Sequence, residues 1–374
     1  MAEQSDSVGL RRRLVSQTNE SNSSSLIPQI SLDLSIYCLL RCARSDYRSI
    51  ASVNRSFRSL IRTGELYRAR RQKGIVEHWV YFSFNPSGWM CFDPVGIRWM
   101  HVPRLPGGEF CANFNGALAV GTELLLFGKE VTGLQAIYKF SISTNSWSLG
   151  REMNEPRRCS FGSASLGEIA IVAGGYDREN NILSSAEIYN SDTGTWESLP
   201  RMNIPRALCS GVFMDGNFYV VGGIGVANPN ALTCGEMYDS KTRRWHEIPN
   251  MLPARINAME ASPQLVVVKN ELYAAFYSEN EVRKYDKGRN VWSTDGSLPE
   301  GVLPMKLWGL VFSAYGDQLI VIVGGRMDLD EPSPGGIVVY DCVPDEGPLQ
   351  WSLLTFNDVP IDTSFVYNYT VVGC

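Results

Sequence analysis

Histidine is scarce in this 374-residue chain, with three copies at positions 78, 101 and 246. None has a cysteine or a second histidine at the spacing a metal site needs, so the sequence offers neither a metal centre nor an expected cofactor. Nine cysteines occur, at 38, 42, 91, 111, 159, 209, 234, 342 and 374, yet no two form a Cys-x-x-Cys pair. A run of about 18 apolar residues is also missing, which excludes a membrane-spanning helix as the reading. The opening residues, MAEQSDSVGLRRRLVSQ, lack the apolar stretch of a secretory signal. An odd number of unpaired thiols then points to a reducing compartment, cytoplasm or nucleus. Net charge is −5, so no basic footprint for nucleic acid or an anionic membrane surface exists at the level of the whole chain.

Catalytic signatures are missing too. No Gly-x-Ser-x-Gly elbow appears, and Gly222-Gly223-Ile224-Gly225 lacks the Lys-Ser/Thr that completes a phosphate loop. The carboxylates form no pair that spacing alone nominates. No catalytic residue is expected.

What the chain does have is a beat. Six aromatic residues are each followed by a tryptophan: Phe92/Trp99, Tyr138/Trp147, Tyr189/Trp196, Tyr238/Trp245, Tyr285/Trp292 and Tyr340/Trp351. Successive tryptophans lie 48, 49, 49, 47 and 59 residues apart. A period of this size is the mark of a repeat architecture. The clearest unit runs from Pro156-Arg157 through a β-rich run, Ile169 to Ala173, into Gly174-Gly175, then to Ala186-Glu187-Ile188-Tyr189 and Trp196. The next repeats it as Pro205-Arg206, Phe218 to Val221, Gly222-Gly223, Glu236-Met237-Tyr238 and Trp245. Each unit offers four short strands with turn residues between them. A double glycine suits strand ends where backbones approach closely and dihedrals forbid a Cβ.

Other units are degenerate: Gly128-Lys129 replaces the glycine pair in the second, and Ala274-Ala275 lies near it in the fifth. The first unit has only three strands to its tryptophan. The spare segment 365–372 at the far end can supply the fourth and close the ring, leaving no exposed sheet edge.

Ahead of the repeats, residues 1–24 are polar, Ser/Asn-rich and expected to be disordered. Arg11-Arg12-Arg13 within them reads as a solvated cluster or a short nuclear address. Residues 25–70 read as a small helical unit. One helix with Ser31 as N-cap carries Leu32, Leu34, Ile36, Tyr37, Leu39 and Leu40. A second, starting after Ser45-Asp46, places Tyr47, Ile50, Val53, Phe57, Leu60 and Ile61 on one face, and Gly64 ends it. Such a unit is near the lower limit for an independent core and should bury part of its surface on a neighbour. Residues 71–78 are a short linker, implying a nearly fixed angle to residues 79–374.

The helical unit resembles an F-box. Leu26-Ile27-Pro28, Leu32-Asp33-Leu34 to Leu39-Leu40, and Val53-Asn54-Arg55-Ser56-Phe57-Arg58-Ser59-Leu60-Ile61 follow that pattern. Departures are an isoleucine before Pro28 and Cys42-Ala43 where Leu-Pro is common. The repeats resemble kelch motifs, so 79–374 is expected to be an all-β, six-bladed propeller behind an all-α F-box domain. Together they resemble the plant-type F-box/kelch-repeat proteins. That resemblance implies a substrate receptor of an SCF cullin-RING ubiquitin ligase that does no covalent chemistry. Leu26, Pro28, Leu34, Leu39, Leu40, Val53, Phe57 and Leu60 would face the adaptor subunit, and through it the cullin. A protein substrate would sit on the loops after the double glycines and those around Pro-Arg, which share one face. The candidates there are Arg157, Arg158, Arg206 and Arg255, with Asp177, Arg178, Glu179, Asn228, Asn230, Arg326, Asp328 and Asp330. Each arginine has a competing reading as a structural partner of an Asp or Glu in a neighbouring blade. Two alternative functions stand beside the ligase: an interaction scaffold uncoupled from ubiquitination, and, more weakly, a propeller enzyme.

Overall fold

The structure is a computed structural model that describes residues 26–374 apart from 84–87, 107–109, 131, 156–158, 227–230, 254–262, 301–309, 326–335, 345–346, 358–365 and 367.

The helical unit comes first. Helix α1 (Leu32–Leu40) starts where the Ser31 hydroxyl accepts from the Leu34 amide at 3.3 Å. A single 3₁₀ turn, Arg44–Asp46, leads into α2 (Tyr47–Val53). The single second helix expected from periodicity is in fact two. Asn54 adopts an extended conformation (φ −155°) and its Oδ1 accepts from the Phe57 amide at 2.8 Å, so it caps a new helix, α3 (Arg55–Arg62). Capping by a short polar side chain outcompetes helix continuation at this point. Gly64, at φ +77°, turns the chain into α4 (Glu65–Gln72). That last helix extends through 72, two residues past the expected end of the helical unit, and the first strand begins at His78.

Six four-stranded antiparallel sheets follow among the described residues. Blade 1 pairs β1 (His78–Ser83), β2 (Trp89–Asp93) and β3 (Arg98–His101). Blade 2 holds β4 (Phe110–Val120), β5 (Glu123–Glu130), β6 (Gln135–Ser141) and β7 (Ser146–Leu149). Blade 3 holds β8 (Gly162–Leu166), β9 (Ile169–Ala173), β10 (Ala186–Asn190) and β11 (Thr195–Leu199). Blade 4 holds β12 (Ser210–Met214), β13 (Asn217–Val221), β14 (Gly235–Asp239) and β15 (Arg244–Ile248). Blade 5 holds β16 (Gln264–Val268), β17 (Glu271–Phe276), β18 (Glu281–Asp286) and β19 (Val291–Ser297). Blade 6 holds β20 (Leu310–Tyr315), β21 (Gln318–Gly325), β22 (Gly336–Cys342) and β23 (Ser352–Asn357). The inner strand of blade 1 is β24 (Asn368–Gly373), in register with β1 from His78↔Gly373 to Ser83↔Asn368. The chain's last strand thus closes the six-bladed propeller.

The aromatic beat is a register. Phe92, Tyr189, Tyr238 and Tyr285 each sit directly opposite the tryptophan seven residues on, with ring centroids 4.6–5.2 Å apart. In blade 2 the residue opposite Trp147 is Phe140, seven before it, rather than Tyr138, which faces Leu149. In blade 6 a register shift places Tyr340 opposite Leu353, not Trp351. Five tryptophans also tie each blade to its predecessor: the Nε1 groups of Trp147, Trp196, Trp245, Trp292 and Trp351 donate to the carbonyls of Pro103, Arg151, Pro200, Met251 and Ser297 at 2.7–3.0 Å. A buried indole N–H seeks such a partner.

Gly174 and Gly223 show why glycine ends the second strands. Their φ angles are +70° and +88°, and a Cβ would lie 2.2 Å from the Arg206 carbonyl oxygen and 2.4 Å from that of Ala207. In blades 2 and 5, which lack the pair, the strand runs on, as β21 of blade 6 also does through Gly324 and Gly325. β5 continues through Gly128 and Lys129, and Ala274 and Ala275 lie fully buried inside β17.

Candidate functional site

Antiparallel strands sort the turns into two faces. Turns after first and third strands emerge on one, and double-glycine loops and inter-blade segments on the other. The helical unit covers the first face over blades 1 to 3. Its residues Ile36, Leu39, Leu40, Tyr47, Leu60, Ile61, Leu66, Tyr67 and Ala69 share one apolar cluster with Trp79, Tyr81, Trp89, Leu124, Phe140 and Val372 of the propeller.

Two buried arginines hold this junction. Arg44, 4% exposed, lies 4.0 Å over the Trp79 ring, and its Nη1 donates to the Glu77 carbonyl at 3.0 Å and the Val372 carbonyl at 3.4 Å. Arg70, 1% exposed, donates to the carbonyls of Leu40 and Cys42 and to the Tyr47 hydroxyl at 2.6–3.1 Å, and to the Glu77 carboxylate at 2.5 Å. Glu77 also exchanges backbone hydrogen bonds with Cys374 at 2.8 and 3.0 Å, so the connector is itself paired. Around the edge, Arg68 pairs with Asp192, Arg71 with Glu168, and Arg98 donates to the Ser45 hydroxyl at 2.9 Å. Burial alone would raise the Glu168 carboxyl, but hydrogen bonds from Ser191 and Arg71 outweigh it and hold the group below its ordinary value. Eight residues of linker were expected; only 73–77 lie between helix and strand, and they are tied to both. Sequence reading missed Arg44, Arg70 and Glu77, since these hydrogen-bond partners lie 7 to 33 residues away or, for Val372 and Cys374, near the other end of the chain, and neither separation leaves a periodic signal.

The adaptor candidates divide by burial. Leu39, Leu40 and Leu60, at 5%, 5% and 3% exposure, are interior residues of the shared cluster, and this corrects their assignment to an outer face. Leu26 and Phe57 pack partly against that cluster. Pro28, Leu34 and Val53 are exposed, the last two at 50% and 69%. Tyr37, three residues after Leu34 on the same side of α1, is 49% exposed and was not among the candidates.

On the opposite face, Arg206 is a correction. It is fully buried and its Nη2 donates to Glu236 at 3.0 Å, while Nη1 donates to the Gly222 and Cys234 carbonyls at 2.9 and 3.1 Å. Glu236 also accepts from the amides of Asn203 and Ile204 at 2.8 and 3.1 Å. Glu187 makes the same pair of contacts to Asn154 and Glu155 at 2.8 and 3.0 Å. The signal was the Glu two residues before each tyrosine, in Glu187-Ile188-Tyr189 and Glu236-Met237-Tyr238.

Asp177 organises its own loop: its carboxylate accepts from the Glu179 and Asn181 amides and from Asn181 Nδ2, each at 2.8 Å. The Asn181 side chain, followed by the two backbone amides, holds its pKa below the ordinary value. Arg178 stands exposed at the tip. Arg157, Arg158, Arg255, Arg326, Asp328, Asp330, Asn228 and Asn230 lie outside the described residues. The face also presents two apolar side chains that were not anticipated, Leu208 (45% exposed, φ +55°) and Val226 (71% exposed). Among the described residues, no group of three His, Cys, Asp or Glu could hold a metal ion.

Residues 157–203 and 205–252 match the kelch motif. Over 368 residues the chain is 52% identical to F-box/kelch-repeat protein SKIP11 of Arabidopsis thaliana, an alignment spanning 95% of this chain and 77% of that protein. It is 50% identical to F-box/kelch-repeat protein At1g74510 of the same plant, across 94% of this chain and 80% of that one. A more distant similarity, 35% over 302 residues, links it to F-box/kelch-repeat protein At3g27150.

Proposed function

From the premise that this chain belongs to the F-box/kelch-repeat family, we propose that it is the substrate receptor of an SCF-type cullin-RING ubiquitin ligase. The helical unit binds the adaptor subunit, and the double-glycine face of the propeller holds a protein to be ubiquitinated. The supporting observation is the opposition of these surfaces within one packed body: the apolar residues Pro28, Leu34 and Val53 remain exposed on the helical unit, while the far loops point away from it. The receptor performs no bond-making step. Its contribution is proximity, raising the effective concentration of substrate lysines near the charged enzyme.

Affinity purification of the tagged chain tests this. Adaptor and cullin should co-purify, and a Pro28→Glu/Leu34→Glu variant with unchanged thermal unfolding should lose both. Recovery of the folded chain without adaptor or cullin would leave the interaction-scaffold reading in its place.

A further inference from the structure

Charge is segregated along this chain. Between Arg41 and Lys73 there are ten Arg or Lys and two Asp or Glu, a local balance of +8 in a chain of net charge −5, so all other residues sum to −13. Four of the ten, Arg44, Arg68, Arg70 and Arg71, are consumed by contacts with Glu77, Asp192, Glu168 and backbone carbonyls. Others have no such use. Arg55, Arg58 and Arg62 follow one another at steps of three and four along α3, which stacks them on one side of the helix. With Ser59 and Thr63 they line a shallow hollow of about 360 Å³. No described carboxylate lies within ion-pair distance of any of the three. The Arg58 Nε donates to the Ala51 carbonyl at 3.1 Å, which pins the side chain across the α2–α3 corner and leaves its outer fork toward solvent. Like charges at these spacings oppose helix formation, and no described carboxylate compensates them.

We propose that Arg55, Arg58 and Arg62 form an electrostatic docking ridge for an acidic protein surface, and that this surface belongs to the adaptor. The assignment rests on the proposed ligase role. It commits to the adaptor because α3 begins two residues after the exposed Val53, so ridge and apolar anchors belong to one continuous surface. Charge complementarity sets the partner's chemistry: an apolar patch bordered by Asp and Glu. The acidic remainder of the chain repels such a partner while the ridge attracts it, which orients the encounter toward the helical unit before contact. Charges of this kind act mainly on the association rate and its salt dependence, and apolar anchors on dissociation.

The test measures association of purified adaptor with the full chain across a series of salt concentrations. An Arg55→Gln/Arg58→Gln/Arg62→Gln variant should associate about tenfold more slowly at low salt, with a flatter salt dependence and an unchanged dissociation rate. A triple lysine variant at the same positions should keep the wild-type salt dependence. A control of equal charge change, Arg178→Gln/Arg243→Gln/Arg289→Gln, should associate at the wild-type rate. Adaptor binding with a salt dependence identical in wild type and ridge variant would overturn the ridge and leave the ligase reading intact. Absence of any adaptor binding by folded wild type would overturn both. Ridge-dependent capture of a labelled 20-base single-stranded DNA, tighter than that of the adaptor, would reassign the ridge to nucleic acid.

Discussion

Arg206 and Glu236 meet at 3.0 Å with neither side chain exposed, and between them they bind the segment entering blade 4 to that blade's third strand. Removing one member of such a pair strands a buried charge, at a cost of about 3–5 kcal/mol. Arg206→Met should therefore lower the Tm by roughly 5–10 °C. Arg206→Met/Glu236→Leu, which removes both charges, should recover part of that loss. Calorimetry on the three proteins decides; wild-type stability in Arg206→Met would return this residue to the list of partner contacts.

Two glycines separate conformational from steric demand. Gly216 has φ +73° with open space around a Cβ, whereas Gly223 has φ +88° and would place one 2.4 Å from the Ala207 carbonyl oxygen. Gly216→Ala should cost only about 1–2 kcal/mol, the ordinary left-handed penalty. Gly223→Ala should cost clearly more, because backbone must move. Equal denaturation midpoints for the two variants would contradict the close-approach account.

Closure depends on β24. Truncation after Pro360 removes the six register pairs that β1 makes with it and uncovers Val80 and Phe82, both fully buried. Hydrogen exchange should accelerate first in β1, β4 and β20, which flank the gap, and last in β9 and β13 on the far side of the ring. Uniform protection in the truncated protein would show that the remaining blades hold the ring shut.

His78 ties stability to pH. Burial lowers its pKa and Arg44 lowers it further, against an opposing pull from Asp317. The folded state thus resists a proton that the unfolded chain accepts near pH 6.5. Stability from this group is complete above pH 6.5 and is lost as pH falls from there toward the depressed folded value. Denaturation midpoints should drop between pH 7 and 5.5 in the wild type, and the slope should shrink in His78→Gln. An unchanged slope in that variant would assign the dependence elsewhere.

Much of the fold was legible because it is periodic. The tryptophan beat gave the ring, its blade count and the origin of the closing strand. Its misreadings come from one cause: spacing was taken loosely. Seven residues is the register of a third-to-fourth-strand hairpin, so Phe140 and not Tyr138 belongs with Trp147. In the helical unit, periodicity ran through Asn54 unchecked, although Asn is a strong helix N-cap. The candidate surfaces were less legible. An apolar stripe does not say which leucines face inward until its packing partner is known, and here the partner is the propeller, which took Leu39, Leu40 and Leu60. Arg206 read as a loop cation because its carboxylate lies 30 residues away.

The described contacts of the helical unit fall on blades 1 to 3, so the ring is mounted eccentrically. Points on the far loops are then unequal in their lateral offset from whatever grips α1 and α3. A target held over Arg178 and Leu208, at blades 3 and 4, hangs on a different radius from one held over blade 6. On the proposed function, the sector of the ring that binds a target would select which of its lysines sweep past the charged enzyme. Two targets of equal affinity could therefore be modified at different sites by angle alone.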